Sequence, residues 1–159
     1  MEDQTKETGC CPRFNPDPWQ EKKVTWQNRL FLKDQVRSFL HIPLNFGKVV
    51  VKDMAMIEEA GALAPEPLML TDGKSPWTID IYIAVGKEVP GAEMVRMSGT
   101  FLTRVFEGPF KDAGRWMKEM KGFVKSKGKE SAKLYLSYTT CPSCAKAYGK
   151  NYVIIFAAI

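Results

Sequence analysis

At 159 residues, with 45% apolar and 26% charged side chains, the chain has the composition of one compact domain that buries about 70% of the surface its unfolded form exposes. It contains no apolar run long enough to span a bilayer, and residues 1–9 lack the basic and apolar regions of a secretory signal, so a soluble, cytoplasmic protein is expected. The net charge of +5 comes from lysines spread among acids and aromatics, without any recognition-helix, zinc-finger or RNA-sheet motif; a solvated basic face on a monomer or weak homodimer is expected, with no nucleic-acid or membrane partner.

Residues 1–21 read as a tail and docking arm. Pro12, Pro16 and Pro18 forbid regular structure, while Phe14 and Trp19 are costly to leave in water. From residue 22 to 159 a single domain is expected. Val24 to Lys33 has strand character, a polar break is expected at Asp34, and a second strand runs from Val36 to Ile42 until Pro43 ends it. From Phe46, the residues Val50, Val51, Met54, Ile57 and Gly61 recur at helical spacing and predict one buried helix face.

Pro65 and Pro67 precede Leu68-Met-Leu70, and Asp72-Gly73 signals a turn into the run from Trp77 to Val85, which predicts a hairpin. Pro90-Gly91 marks the expected midpoint. Met94 to Glu107 follows as a strand interrupted at Ser98-Gly99 and closed by Gly108-Pro109. A second helix places Ala113, Trp116, Met117, Met120, Phe123 and Val124 on one face and Lys118, Lys121 and Lys125 on the other, with Gly128 as its stop. Strands over Lys133 to Tyr138 and Tyr152 to Ala157 complete the chain, separated by a cysteine loop.

A shift of 66 residues carries Phe39-Leu-His-Ile-Pro-Leu44 onto Val105-Phe-Glu-Gly-Pro-Phe110, Lys52-Asp-Met54 onto Lys118-Glu-Met120, and Leu68-Met-Leu70 onto Leu134-Tyr-Leu136. One register held through a strand end, a helix and the next strand predicts a duplicated β-α-β-β module. The fold class is therefore α+β, with antiparallel sheets, two main helices and pseudo-two-fold symmetry, the repeats covering about residues 36–88 and 92–159. The seam between them is the expected ligand cleft.

That element order, with Phe106-Glu-Gly-Pro-Phe110 opening the second helix, resembles the GyrI-like small-molecule-binding fold over approximately residues 36–159. The step Gly108-Pro109-Phe110 is its most specific shared element. More narrowly, Cys11-Pro-Arg-Phe14, His41-Ile-Pro-Leu-Asn45 and the stretch from Tyr138 to Lys146 resemble a stand-alone bacterial subgroup of the kind represented in a green sulfur bacterium. The resemblance implies binding of flat, often cationic, aromatic compounds as a sequestering or detoxifying function. It also implies an alternative, since some stand-alone relatives hydrolyse cyclopropane-bearing DNA-alkylating toxins. The chain departs from the family where a Glu commonly stands two residues before a Tyr: Lys133 precedes Tyr135 and Leu136 precedes Tyr138. Hydrolase activity therefore does not carry over through that motif.

His41 and Glu107 occupy matching positions in the two repeats and are expected to approach one seam. A carboxylate there, withdrawn from water among aromatics, would have its pKa raised and would attract a ligand cation or act as a general base, with Tyr138 or His41 assisting by proton transfer. The bland alternative for Glu107 is a rim carboxylate before a helix, and for His41 a hydrogen-bonded strand end. Trp77, Tyr82, Phe106, Tyr135 and Tyr138 are the aromatic stock for a binding pocket; Trp116 belongs to the core face of its helix. Asp80 or Glu93, like Glu107, can reverse the sign of the charge locally. Cys141-Pro-Ser-Cys144 has zinc-ligand spacing, which Cys10-Cys11 would complete if the arm docks beside it; a redox dithiol or plain thiols are the alternatives, and the first two imply a zinc-stabilised or redox-sensitive interaction protein.

Overall fold

The computed structural model describes residues 16–40, 42–65, 68–73, 75–130, 133–138 and 152–159. The chain forms β1 (Lys22–Phe39), β2 (Ile42–Pro43), α1 (Phe46–Glu59), β3 (Met69–Asp72), β4 (Thr78–Ala84), β5 (Glu93–Glu107), α2 (Ala113–Ser126), β6 (Lys133–Tyr138) and β7 (Tyr152–Ala158), with short 3-10 turns at Asp17–Trp19 and Phe110–Asp112. It divides into two compact units, Trp26–Gly99 and Met1–Thr25 with Thr100–Ile159. The division falls inside β1 and inside β5; β1-α1-β3-β4 in one unit and β5-α2-β6-β7 in the other follow the order strand, helix, strand, strand, the first with the two-residue β2 added.

In the unit Trp26–Gly99 the strands lie in the order β2-β1-β4-β3 with antiparallel neighbours. The break expected at Asp34 is absent. β1 runs straight through it, with Asp34 opposite Ile81 in the ladder to β4. Because paired residues share a face, Asp34 points to the same side as Leu32, Val36, Ile81 and Ile83, whose side chains pack with Val49 and Ile57 of α1. Burying each of these aliphatics stabilises the unit by about 1.5–3 kcal/mol. Asn45 ties the start of α1 to the strand, its Oδ1 accepting from the Arg37 N–H at 2.8 Å.

The buried face of α1 is rotated from the expected one: Ile57 is buried and Val50 and Met54 pack half-buried on the core, as expected, but the centre of the face has moved. Val49, Asp53 and Ile57 are buried, whereas Val51 is 71% exposed. Three consecutive valines fit two helical phases equally well, and a purely apolar count rejects the phase that carries an Asp at its centre. Tyr82 alternates with Ile81 and Ile83, faces away from α1 and is nevertheless buried.

In the other unit the strands lie in the order β6-β7-β5, again antiparallel. The expected face of α2 is the observed one: Trp116, Met120, Phe123 and Val124 pack on Leu102, Phe106, Leu136, Val153 and Ile155. Trp116 stacks on Phe106 with ring centroids 5.9 Å apart. Gly108 makes room for it: its φ is +145°, and a Cβ there would lie 3.3 Å from Trp116 Cζ2. The interruption expected at Ser98-Gly99 does not end β5, although Gly99 has φ +137°. The described end of the arm docks within this unit. Thr103 Oγ1 donates to the Trp19 carbonyl at 2.6 Å, the Val105 N–H donates to Gln20 Oε1 at 3.0 Å, and the Trp19 ring meets Phe156 edge-on at 5.6 Å. Among the described residues, no helix is long and apolar enough to cross a membrane.

Candidate ligand site

Two acids stand at the centres of two facing apolar rows. Asp34 lies between Leu32 and Val36 on β1, and Asp53 between Val49 and Ile57 on α1. They line a cavity of 330 Å³ inside the unit Trp26–Gly99, together with Leu32 and Met56 on the apolar side, Lys33, Gln35, Lys52 and Asp80 on the polar side, and the turn Gly91-Ala92-Glu93. Four carboxylates and two lysines therefore give the cavity an acidic balance inside a chain of net charge +5. Gly91 has φ +81°, a conformation that favours glycine at this turn.

Asp53 is 2% exposed, and its Oδ2 has no hydrogen-bond partner among the described residues. Lys52 Nζ lies 3.1 Å from Asp34 Oδ2 and 3.9 Å from Asp53 Oδ1, with its own side chain 61% exposed. One ammonium thus serves two carboxylates. Burial first, then the hydrogen bond and charge of Asp34, push the Asp53 carboxyl up to about 7, against the opposing pull of Lys52. Burial acts on Asp34 in the same direction but is outweighed. The hydrogen bond with Asp53, the Gln35 N–H at 2.7 Å and Lys52 hold Asp34 below the ordinary Asp value. Asp34 and its charge in turn raise the Lys52 pKa. At neutral pH the pair shares a proton, one member ionised and the other close to half-protonated. Asp80, buried opposite Gln35 in the ladder, accepts from Gln35 Nε2 at 3.3 Å and lies 4.0 Å from Lys33 Nζ.

The residues singled out in the sequence fall elsewhere, apart from the charge-reversing Asp80 and Glu93. Glu107 is exposed at the end of β5; the withdrawn carboxylate expected there is found instead at Asp53. Tyr138 is half-buried at the end of β6, where it packs on the α2 side of its unit, as Phe106 does. Val153 of β7 pairs with both of them, so Glu107, one residue beyond Phe106, takes the opposite face. Glu107 and Tyr138 are thus not brought onto one face. Tyr135, Phe106 and Tyr82 are buried, and each has a cation of the protein over its ring: Lys133 at 5.0 Å, Arg104 at 5.4 Å and Lys33 at 5.9 Å, respectively. Trp77 is 55% exposed and tilted against Phe39, which is 53% exposed, at 5.8 Å. His41, Cys10, Cys11, Cys141 and Cys144 lie outside the described residues. Among the described residues, no group of three or more His, Cys, Asp or Glu side chains is arranged to hold a metal ion.

An α+β chain of antiparallel strands and two helices, with an acidic cavity under one helix, is what the geometry defines. The chain belongs to the family described as bacterial hydrolase, which matches residues 1–159. Its fold is similar to that of the EcmrR C-terminal domain (TM-score 0.63, 14% identity, covering 88% of this chain and 96% of that one). It is also similar to a hydrolase from Listeria innocua (0.59, 14%, 87% and 91%) and to SAV2435 bound to tetraphenylphosphonium (0.54, 12%, 87% and 93%). These neighbours fit the GyrI-like fold that the sequence resembles. Comparison with curated proteins finds no match.

Proposed function

We propose that the protein binds cationic small molecules, and that the acidic cavity between β1 and α1 is a place where it does so. The observation that carries this reading is Asp53, a buried carboxylate with an unpartnered oxygen lining a 330 Å³ cavity. An organic cation would supply the missing partner. The fold supports the reading, since a neighbour of the same fold was solved with tetraphenylphosphonium bound. Exposed Trp77 and Phe39 offer a separate stacking surface for aromatic cations, worth roughly 0.5–2 kcal/mol per contact. The strand-helix-strand-strand order of both units supports reading them as repeats of one module.

Fluorescence titration with tetraphenylphosphonium, a planar cationic dye and alkylamines tests this function. Saturable binding of at least one cation at micromolar concentration is expected, weakened severalfold by Asp53→Asn or Trp77→Ala according to which surface the cation uses. Absence of saturable binding by every cation overturns the reading.

Hydrolysis is the second reading, favoured by the split carboxylate pair and by the family's description. Asp34, ionised, suits a general base, and Asp53, partly protonated, a general acid; strained electrophiles such as cyclopropane-bearing toxins are the substrates the resemblance implies. Incubation with such an electrophile, followed by mass analysis for addition of water, decides it. Loss of turnover in Glu107→Gln but not in Asp53→Asn would return the chemistry to Glu107.

A further inference from the structure

The walls of the cavity restrict its ligand further. Among the described residues, no aromatic lines it: the apolar surface comes from Leu32, Met56 and Ala92, which suit methylene groups rather than flat rings. Charges at its buried end do not balance. Two carboxylates, Asp34 and Asp53, face one ammonium, Lys52, while Asp80 has Lys33 near it. Without a ligand, a proton on Asp53 would make up the difference. A ligand ammonium would make it up instead, and Lys52 would not have to leave.

We propose that this cavity is a site for an aliphatic ammonium compound, a primary amine or short diamine, whose NH3+ group takes the place of the proton on Asp53. This rests on the reading of the chain as a cation binder and narrows its class. The amine nitrogen donates to the unpartnered Asp53 Oδ2, and its methylenes lie along Leu32 and Met56. Exposed Glu93 at the mouth supplies a contact for a second ammonium, which favours a diamine. The charged groups lining the cavity are Asp34 and Lys33 from β1, Lys52 and Asp53 from α1, Asp80 from β4 and Glu93 at the start of β5; of these, Asp34 and Lys52 act directly on Asp53, while Lys33 and Asp80 alternate to the other face of the strands. Binding therefore releases a proton wherever Asp53 starts protonated. With that carboxyl at about 7, one-proton linkage makes affinity rise about tenfold between about pH 6 and pH 8.

Calorimetric titration of the full chain with 1,4-diaminobutane, butylamine and tetraphenylphosphonium, in two buffers of different ionisation enthalpy, tests the site. For the amines the expected result is release of nearly one proton at about pH 6, falling toward none at about pH 8, with the tenfold gain in affinity. Asp53→Asn is expected to weaken amine binding and abolish both the proton release and the pH dependence. Glu93→Gln, a surface change that leaves the fold alone, is expected to weaken the diamine more than butylamine. Binding of tetraphenylphosphonium without binding of either amine overturns the amine site and leaves the broader reading standing. Failure of all three cations overturns the amine site, and failure of the planar cationic dye as well sinks both. Amine binding that releases no proton, or that Asp53→Asn leaves intact in a folded variant, also overturns the proposal.

Discussion

Asp53 shows how much one misplaced-looking residue can hold. Its carboxyl, ordinarily near 3.8, is pushed up to about 7 in the folded chain, so the native state keeps a proton that the unfolded state has lost. Stability from this group is complete below its unfolded value and disappears as pH rises through about 7. Asp53→Asn removes the charge and keeps the shape, and its amide can donate to Asp34. The variant is therefore expected to gain on the wild type progressively between about pH 4 and pH 7, with a Tm several degrees higher at about pH 8. Thermal melts across that range check it; a constant difference would mean that Asp53 is not the titrating group. The clue was present in the sequence as an Asp at the middle position of Val49, Asp53 and Ile57, and another between Leu32 and Val36. Neither pattern distinguishes a buried acid from a strand break or a polar helix face, because that depends on the two rows meeting.

At the scale of elements, the two helices differ in how much they reveal. The face of α2 is legible because Trp116, Met120, Phe123 and Val124 leave one apolar stripe, with Lys118, Lys121 and Lys125 opposite. Consecutive valines in α1 leave its phase open, and the contacts of Val49 decide it. The Gly-Pro-aromatic step before α2 was the most specific motif in the sequence, and its geometry gives the reason: Gly108 combines a positive φ with the close approach of Trp116. Gly108→Ala is expected to cost about 1–3 kcal/mol through backbone strain and displacement of that ring. Gly114→Ala provides the contrast. It lies in the first turn of α2 with nothing within 4 Å of a new Cβ, so the substitution is expected to stabilise by up to about 1 kcal/mol. Denaturant melts of both variants should move the midpoint in opposite directions, and equal losses would refute the assignment of Gly108 to a packing role.

For the whole molecule, the α+β class and most element boundaries after Phe46 were readable from turn residues and apolar periodicity, whereas the unbroken β1 and the acidic cavity were not, since the cavity walls come from β1, α1, β4 and the turn at Gly91. Its acidic balance also opposes the charge of the chain around it, and this has a kinetic consequence. Five net positive charges at about 20 Å from an approaching cation repel it by about 1 kcal/mol in water at low salt, a factor of about five in encounter rate. Physiological salt, with a Debye length of about 8 Å, removes most of that repulsion. Contacts to Asp53, shielded from solvent, are screened far less. Association of a cationic ligand is therefore expected to accelerate about twofold as salt rises from about 10 to 150 mM, while dissociation stays nearly constant. Stopped-flow measurement separates the two rates. A decrease in association rate with salt would mean that the field of the cavity reaches past its mouth and governs the encounter, and that the basic surface lies far from the path of entry.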